Sequence, residues 1–224
     1  MHPRPAPKDL PILSYPTHLA TISAGRPKGE RTRAQIQIAA CAVLDGSGPQ
    51  DLTISAICEK ASVSNGTFYL YFPDRAVLLD TLLSDFALFV QTAMRAASAA
   101  QPEAAPRAAT RAYFDLFEQN RGLMRCLVHH IDAFPEASAA FQRLNREWIE
   151  TVVAAVERRM RQDGRTETIP HDELMRRAYA LGGMVDQYLS SLLLSRDPTL
   201  IALSRDREAT LETLSLIWER GMWP

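Results

Sequence analysis

Residues Thr53 to Phe72 read TISAICEKASVSNGTFYLYF, two short helical segments around a tight turn. Ile54, Ile57 and Ala61 fall three and four positions apart, so they share one face of the first segment. Ala61-Ser62-Val63-Ser64 interrupts that face with turn chemistry and leaves Ser64 to cap the second segment. There Phe68 and Phe72, four apart, form the inward stripe. Asn65, Thr67, Tyr69, Leu70 and Tyr71 face elsewhere. Core packing accounts poorly for a short helix that shows an amide, hydroxyls and two tyrosines. Insertion into a DNA groove accounts for it well.

The flanks extend the pattern. Gly25-Arg26-Pro27 precedes a helix ending near Leu44, with Ile36, Ala39, Ala40, Val43 and Leu44 as its stripe. After the helix pair come Tyr71-Phe72-Pro73-Asp74-Arg75 and an apolar helix. In this order and spacing, residues 26–80 resemble the TetR family of transcriptional regulators. The resemblance implies an all-α chain: an N-terminal three-helix DNA-binding domain with a helix-turn-helix, and a larger C-terminal helical domain for ligand binding and dimerisation. The expected division is a flexible Pro-rich tail at 1–25, the DNA-binding domain at 26–75 and the second domain at 76–224.

Carried over by position, the resemblance sets Ser64, Asn65 and Thr67 against bases or nearby phosphates. Gly66 allows close backbone approach, and Tyr69 and Tyr71 reach phosphates. A half-buried ring at the junction with the next helix is the other reading of Tyr71. Leu70 meets a thymine methyl or packs on sugar. Thr53 stands where family members touch a phosphate, though capping alone also explains it. Arg75 is placed as a phosphate clamp at the start of the fourth helix. Asn65 stands where lysine is common, and Ser62 where glycine is common. Gly25-Arg26-Pro27 also resembles the core of an AT-hook, whose extended backbone lies in the minor groove. Arg26 and Lys28 are therefore expected to contact DNA, or else to belong to a basic linker.

Composition locates the charge. The chain has 224 residues and a net charge of −1, which carries no overall nucleic-acid signal. Its first 75 residues hold 8 Lys/Arg against 6 Asp/Glu and the remainder 17 against 20, so phosphate binding belongs to the N-terminal part. Cys41, Cys58 and Cys126 are unpatterned and read as buried thiols. No apolar run of the length needed to span a bilayer is read in the sequence, and the Pro-rich start lacks a signal-peptide pattern. A cytoplasmic protein with no membrane partner is expected.

The fourth helix is expected to end near Met94, Ala96 to Pro106 reads as a connection and Gly164 to Pro170 as a loop, and the remainder reads as helix. Two functions fit it. Phe114, Phe117, Met124, His130, Trp148, Met184, Gln187 and Tyr188 are the residue types of a small-molecule pocket, or simply core. The stripe Leu174, Ala178, Leu181, Val185, Leu189, Leu192, with Gly182-Gly183 permitting close helix approach, is matched by a stripe of Leu200, Leu203, Leu211, Leu214, Ile217 and Trp218 on the last helix. The resemblance makes these last two long helices the surface of a homodimer, and intrachain packing is the alternative.

Catalysis finds no support. Cys126 and His130 lack the further ligands a metal needs, and adjacent His129 and His130 diverge on a helix. Neither a phosphate loop nor a nucleophile elbow occurs. The expectation is a ligand-responsive transcriptional regulator, a repressor rather than an enzyme. It needs no cofactor or metal, and its partners are a double-stranded DNA operator and a small-molecule effector. Two alternatives stand beside it: a helical sensing or protein-docking module that does not bind DNA, and a DNA-binding regulator without a physiological ligand.

Overall fold

The structure, a computed structural model, describes residues 13–47, 51–163 and 169–223. The chain folds into helices throughout, and the described residues contain no strand. The order is α1 (Tyr15–Ser23), α2 (Lys28–Gly46), α3 (Ile54–Ala61), α4 (Asn65–Tyr69), α5 (Arg75–Ala100), α6 (Ala105–Gln119), α7 (Arg121–His129), α8 (Pro135–Gln162), α9 (His171–Leu189), α10 (Pro198–Leu203) and α11 (Arg207–Met222). The fold class is as the sequence reads.

The first correction is at the N-terminus. Residues 1–12 lie outside the described part, but 15–23 are helix and not tail. Tyr15 and Leu19 are buried, and the Tyr15 ring packs 5.4 Å from Phe86 and 5.2 Å from Phe89 of α5. Pro16 falls in the first turn of α1, where its missing N–H costs nothing. The five prolines hid a short amphipathic segment.

α1 is also tied by its backbone. Asn120, which is 1% exposed, accepts from the Tyr15 N–H at 2.7 Å and donates to the Leu13 carbonyl at 2.7 Å and the Leu116 carbonyl at 2.8 Å. One amide thus joins α1 to the corner between α6 and α7. Gly25, at φ +76, turns the chain from α1 into α2. The Gly25-Arg26-Pro27 segment is the corner between α1 and α2, with Pro27 extended at φ −50, ψ 151.

α5 has 26 residues and is about 39 Å long at 1.5 Å per residue. It outruns the expected end near Met94 because Ala96, Ala97, Ala99 and Ala100 favour helix until Pro102 starts a single 3-10 turn. Asp74 caps its start by accepting from the Val77 N–H at 2.9 Å. Among the described residues, α5 alone has the length and mean hydropathy, 1.4, to cross a membrane. Here Leu78, Leu79, Leu82, Leu83 and Phe86 are buried inside the chain, and α5 packs on both α6 and α8. One buried cluster runs from Ile36, Ile57 and Phe68 through this helix to Phe117 and Leu127. A second joins Ile149, Val153 and Met160 of α8 to Leu174 and Ala178 of α9 and Met222 of α11.

Two carboxylates from the N-terminal half cap helices of the other half. Asp80 of α5 accepts from the Ala137 N–H in the first turn of α8 at 2.5 Å. Asp45 of α2 accepts from the Gly122 N–H in the first turn of α7 at 2.6 Å. Each satisfies a donor that its own helix leaves unpaired.

The C-terminal region differs from one expected long helix. α9 ends in a π-turn at Ser190–Leu194, and Asp206 caps a new helix by accepting from the Ala209 N–H. α10 and α11 are therefore separate. Part of the expected dimer stripes turns inward: Leu203 and Ile217 are exposed, whereas Leu174, Ala178, Val185, Leu189, Leu211 and Leu214 are buried. They are intrachain core, because α9 and α11 pack on each other and Gly221 brings Leu181 within contact. The outward face of this pair carries Tyr179, Leu216 and Ile217, each about four-tenths exposed.

Candidate functional site

The helix-turn-helix is built from the turn outward. Thr53 caps α3, its hydroxyl accepting from the Ala56 N–H at 3.1 Å. Ser62 ends α3 at φ 53, ψ 42. This is the left-handed conformation that glycine adopts freely and serine only with some strain. Ser64 then caps α4, accepting from the Thr67 N–H at 3.1 Å, and its hydroxyl lies 3.0 Å from that of Thr67. Both hydroxyls therefore have partners within the turn before any DNA approaches.

Phe68 and Phe72 are buried, with ring centroids 5.9 Å apart. They fix α4 against the α2–α3 pair. The Arg33 guanidinium covers Phe72 at 4.6 Å, and the Gln35 amide donates to the Ala61 carbonyl at 2.6 Å. With its inner face anchored, α4 presents Asn65, Gly66 and Tyr69 outward, and Leu70 just beyond it is 81% exposed. A leucine this exposed next to an exposed tyrosine is unexplained by folding.

Tyr71 is half-buried, and its hydroxyl lies close to Gly29 in the first turn of α2. The ring braces a junction, and the hydroxyl sits at a helix N-terminus, where backbone N–H groups attract anions. Arg26 and Lys28 flank that same N-terminus and are exposed. Arg75 donates to the Leu52 carbonyl at 2.9 Å. It staples the start of α5 to the loop ahead of α3, and its side chain remains exposed.

The expected pocket residues separate. Phe117 and Met124 are 0% exposed and fill the main core. Met184 and Tyr188 pack at its edge, with the Tyr188 hydroxyl 2.8 Å from Ser204 Oγ. Trp148 belongs to the second cluster. Gln187 is exposed and donates to Ser191 Oγ. His130 is exposed, whereas Cys126 points into the core, so the two do not share a site. Burial pushes the Cys126 thiol up to about 11, which suits an inert core residue.

Phe114 lines an open groove of about 350 Å³ between α6, the start of α7, the π-turn and α10. Its arginines carry no apolar pattern, which is why periodicity did not find it. On a neighbouring face of α6, the Tyr113 hydroxyl donates to Asp186 Oδ1 of α9 at 2.6 Å. Burial pushes the Asp186 carboxyl up, and that hydrogen bond opposes the shift.

Comparison with known proteins agrees with this geometry. The pattern that defines the bacterial regulatory proteins of the tetR family matches residues 38–82. The HTH-type transcriptional regulator EthR of Mycolicibacterium smegmatis is 23% identical over 203 residues, covering 89% of this chain and 90% of that protein. The fatty acid degradation regulator FadR from Bacillus halodurans superposes with a TM-score of 0.65 at 14% identity, over 84% of this chain and 94% of that one. FadR from Bacillus subtilis, solved in complex with stearoyl-CoA, gives 0.61 at 18% identity, over 81% and 96%.

Proposed function

We propose that the chain is a TetR-family transcriptional regulator, acting as a cytoplasmic homodimer on a near-palindromic operator and released by a small-molecule effector. The observation that carries the DNA reading is the outward face of α4. Its amide, tyrosine and leucine are held on a helix whose caps and buried phenylalanines leave it one orientation. Asn65, Gly66, Tyr69 and Leu70 enter the major groove, with Ser64 and Thr67 at its edge. Thr53, Arg26, Lys28, Tyr71 and Arg75 hold phosphates.

The second copy docks on the outward face of α9 and α11. Tyr179, Leu216 and Ile217 offer apolar area there, and a Cβ at Gly182 or Gly183 meets nothing within 4 Å. Two copies would set their α4 helices about 34–36 Å apart, one turn of DNA. An effector that prefers a dimer with another spacing shifts the population off DNA. The stearoyl-CoA complex of the Bacillus subtilis protein puts acyl compounds among the candidate effectors.

Affinity for duplex DNA measured against salt concentration tests the reading. Binding that weakens steeply with salt, with the slope reduced in Lys28→Ala, is expected. Absence of duplex binding at low salt contradicts it.

A further inference from the structure

The groove beside α7 has an apolar floor and a cationic rim. Phe114 and Leu192 are buried beneath it and Ile201 is 38% exposed along it. Arg121, Arg196 and Arg205 stand at its edge, all exposed. A fourth arginine, Arg207, is already committed: it bonds Asp115 and Glu118, and its guanidinium lies 4.6 Å over Phe114. The other three have no carboxylate within 4.0 Å among the described residues. The nearby carboxylates are engaged elsewhere, Asp197 capping α10 and Asp206 capping α11. Arg196 sits at φ 57, a backbone conformation that glycine or asparagine would supply at less cost.

Two guanidinium groups free of ion pairs among the described residues, Arg196 and Arg205, stand around an apolar trough with a third, Arg121, that shares the field of Asp45. The one carboxylate lining the trough, Glu118, is held by Arg207. This matches one ligand chemistry. We propose that this groove binds a small amphipathic anion, its carboxylate or phosphate held by Arg196, Arg205 and Arg121 and its apolar tail laid along Phe114 and Ile201. The proposal rests on the regulator reading above and adds where the effector enters and what it is. The volume is at the small end for a ligand site, and guanidinium forks suit both headgroups.

The position also explains how binding is felt. Arg121 is the first residue of α7, and the next residue, Gly122, donates to Asp45 of α2. An anion that draws Arg121 toward the groove acts on the turn that carries this bond. α2 in turn holds the DNA-contacting unit through Gln35 and the α3 packing. The groove therefore lies one helical turn from the contact between the two halves of the chain.

Decanoate, decyl phosphate and decanol distinguish the headgroups. Calorimetric titration of the full chain is expected to show saturable binding of decanoate, decyl phosphate or both, with decanol at least about tenfold weaker. Stronger binding of one anion identifies carboxylate or phosphate as the natural head. Arg196→Gln/Arg205→Gln, two surface changes, weakens the anions about tenfold or more and leaves decanol unchanged. Ile201→Glu weakens them through the floor. Equal affinity for decanol, unaltered affinity in both variants, or no saturable binding to the parent overturns the proposal. Duplex DNA binding without ligand is measured in parallel. If it persists while the groove fails, only the effector assignment falls; if it is absent, the regulator reading falls.

Discussion

Asp45 at the end of α2 and the Gly122 N–H at the start of α7 are joined at 2.6 Å, and the chains around them are in contact. A Cβ on Gly122 would lie 2.5 Å from the Leu44 carbonyl carbon and 2.6 Å from the Asp45 nitrogen. These are backbone atoms that cannot rotate away. Gly122→Ala is expected to cost about 1–3 kcal/mol through overpacking. Asp45→Ala, which removes the bond and the carboxylate's charge beside Arg125 and Arg121 without overpacking, should cost about 1 kcal/mol. Thermal unfolding of both variants checks the order, and a Gly122→Ala chain as stable as the parent would show that the two helices are not in this contact.

Asn120 concerns the same corner from the other side. Asn120→Leu leaves the Tyr15 N–H and the Leu13 carbonyl without partners in a buried place. A loss of about 2–4 kcal/mol is expected, together with faster proteolysis around residues 13–25. Hydrogen exchange at Tyr15 reads the detachment directly. Unchanged protection there would contradict the pinning of α1.

Asp186 sets a pH dependence. Burial raises its carboxyl above the ordinary 3.8, so the native chain holds the proton more tightly than the unfolded one. Stability from this group is complete below the ordinary value and declines as pH rises through the raised one. Asp186→Asn keeps an oxygen to accept from Tyr113 and removes the charge. The variant should melt higher than the parent at neutral pH, with the difference closing toward about pH 4. An equal difference at both pH values would assign the effect to packing.

The outward face of α9 and α11 predicts the assembly. Leu216→Arg and Ile217→Glu place charge on an exposed apolar surface, where folding of one chain is insensitive. Sedimentation should show a dimer in the parent and a shift to monomer in the double variant. A parent that sediments as a monomer at micromolar concentration would remove the surface from the account.

How much of this was legible follows from the kind of signal each feature leaves. The helix-turn-helix was readable because Phe68 and Phe72 keep helical spacing and Ser64 and Thr53 are side chains that cap. Ser62 was read as a departure, yet its left-handed φ shows that the backbone need outweighed the residue preference. α1 was missed because five prolines outweighed the spacing of Tyr15 and Leu19. The stripe on α9 and Leu211 and Leu214 of α11 were correctly apolar but faced inward, while Ile217 faces outward, since periodicity identifies a buried face without naming what buries it. Asn120, Asp45 and the arginine-rimmed groove carry no periodic signal. They arise from contacts between residues 77 to 107 positions apart, or from separate helices, and only the fold brings them together.

The account stands most directly on what α4 reads. Selection of bound sequences from a random duplex pool, run in parallel with the parent and Asn65→Ala, tests it. The parent should enrich an inverted repeat, its half-sites separated by about one helical turn. The Asn65→Ala chain should enrich a repeat altered at the same position in each half, while Tyr69→Ala and Tyr71→Ala weaken all sequences alike. Enrichment of no inverted repeat by the parent, or of an identical repeat by the Asn65→Ala chain, would contradict the assignment of α4 as the reading helix.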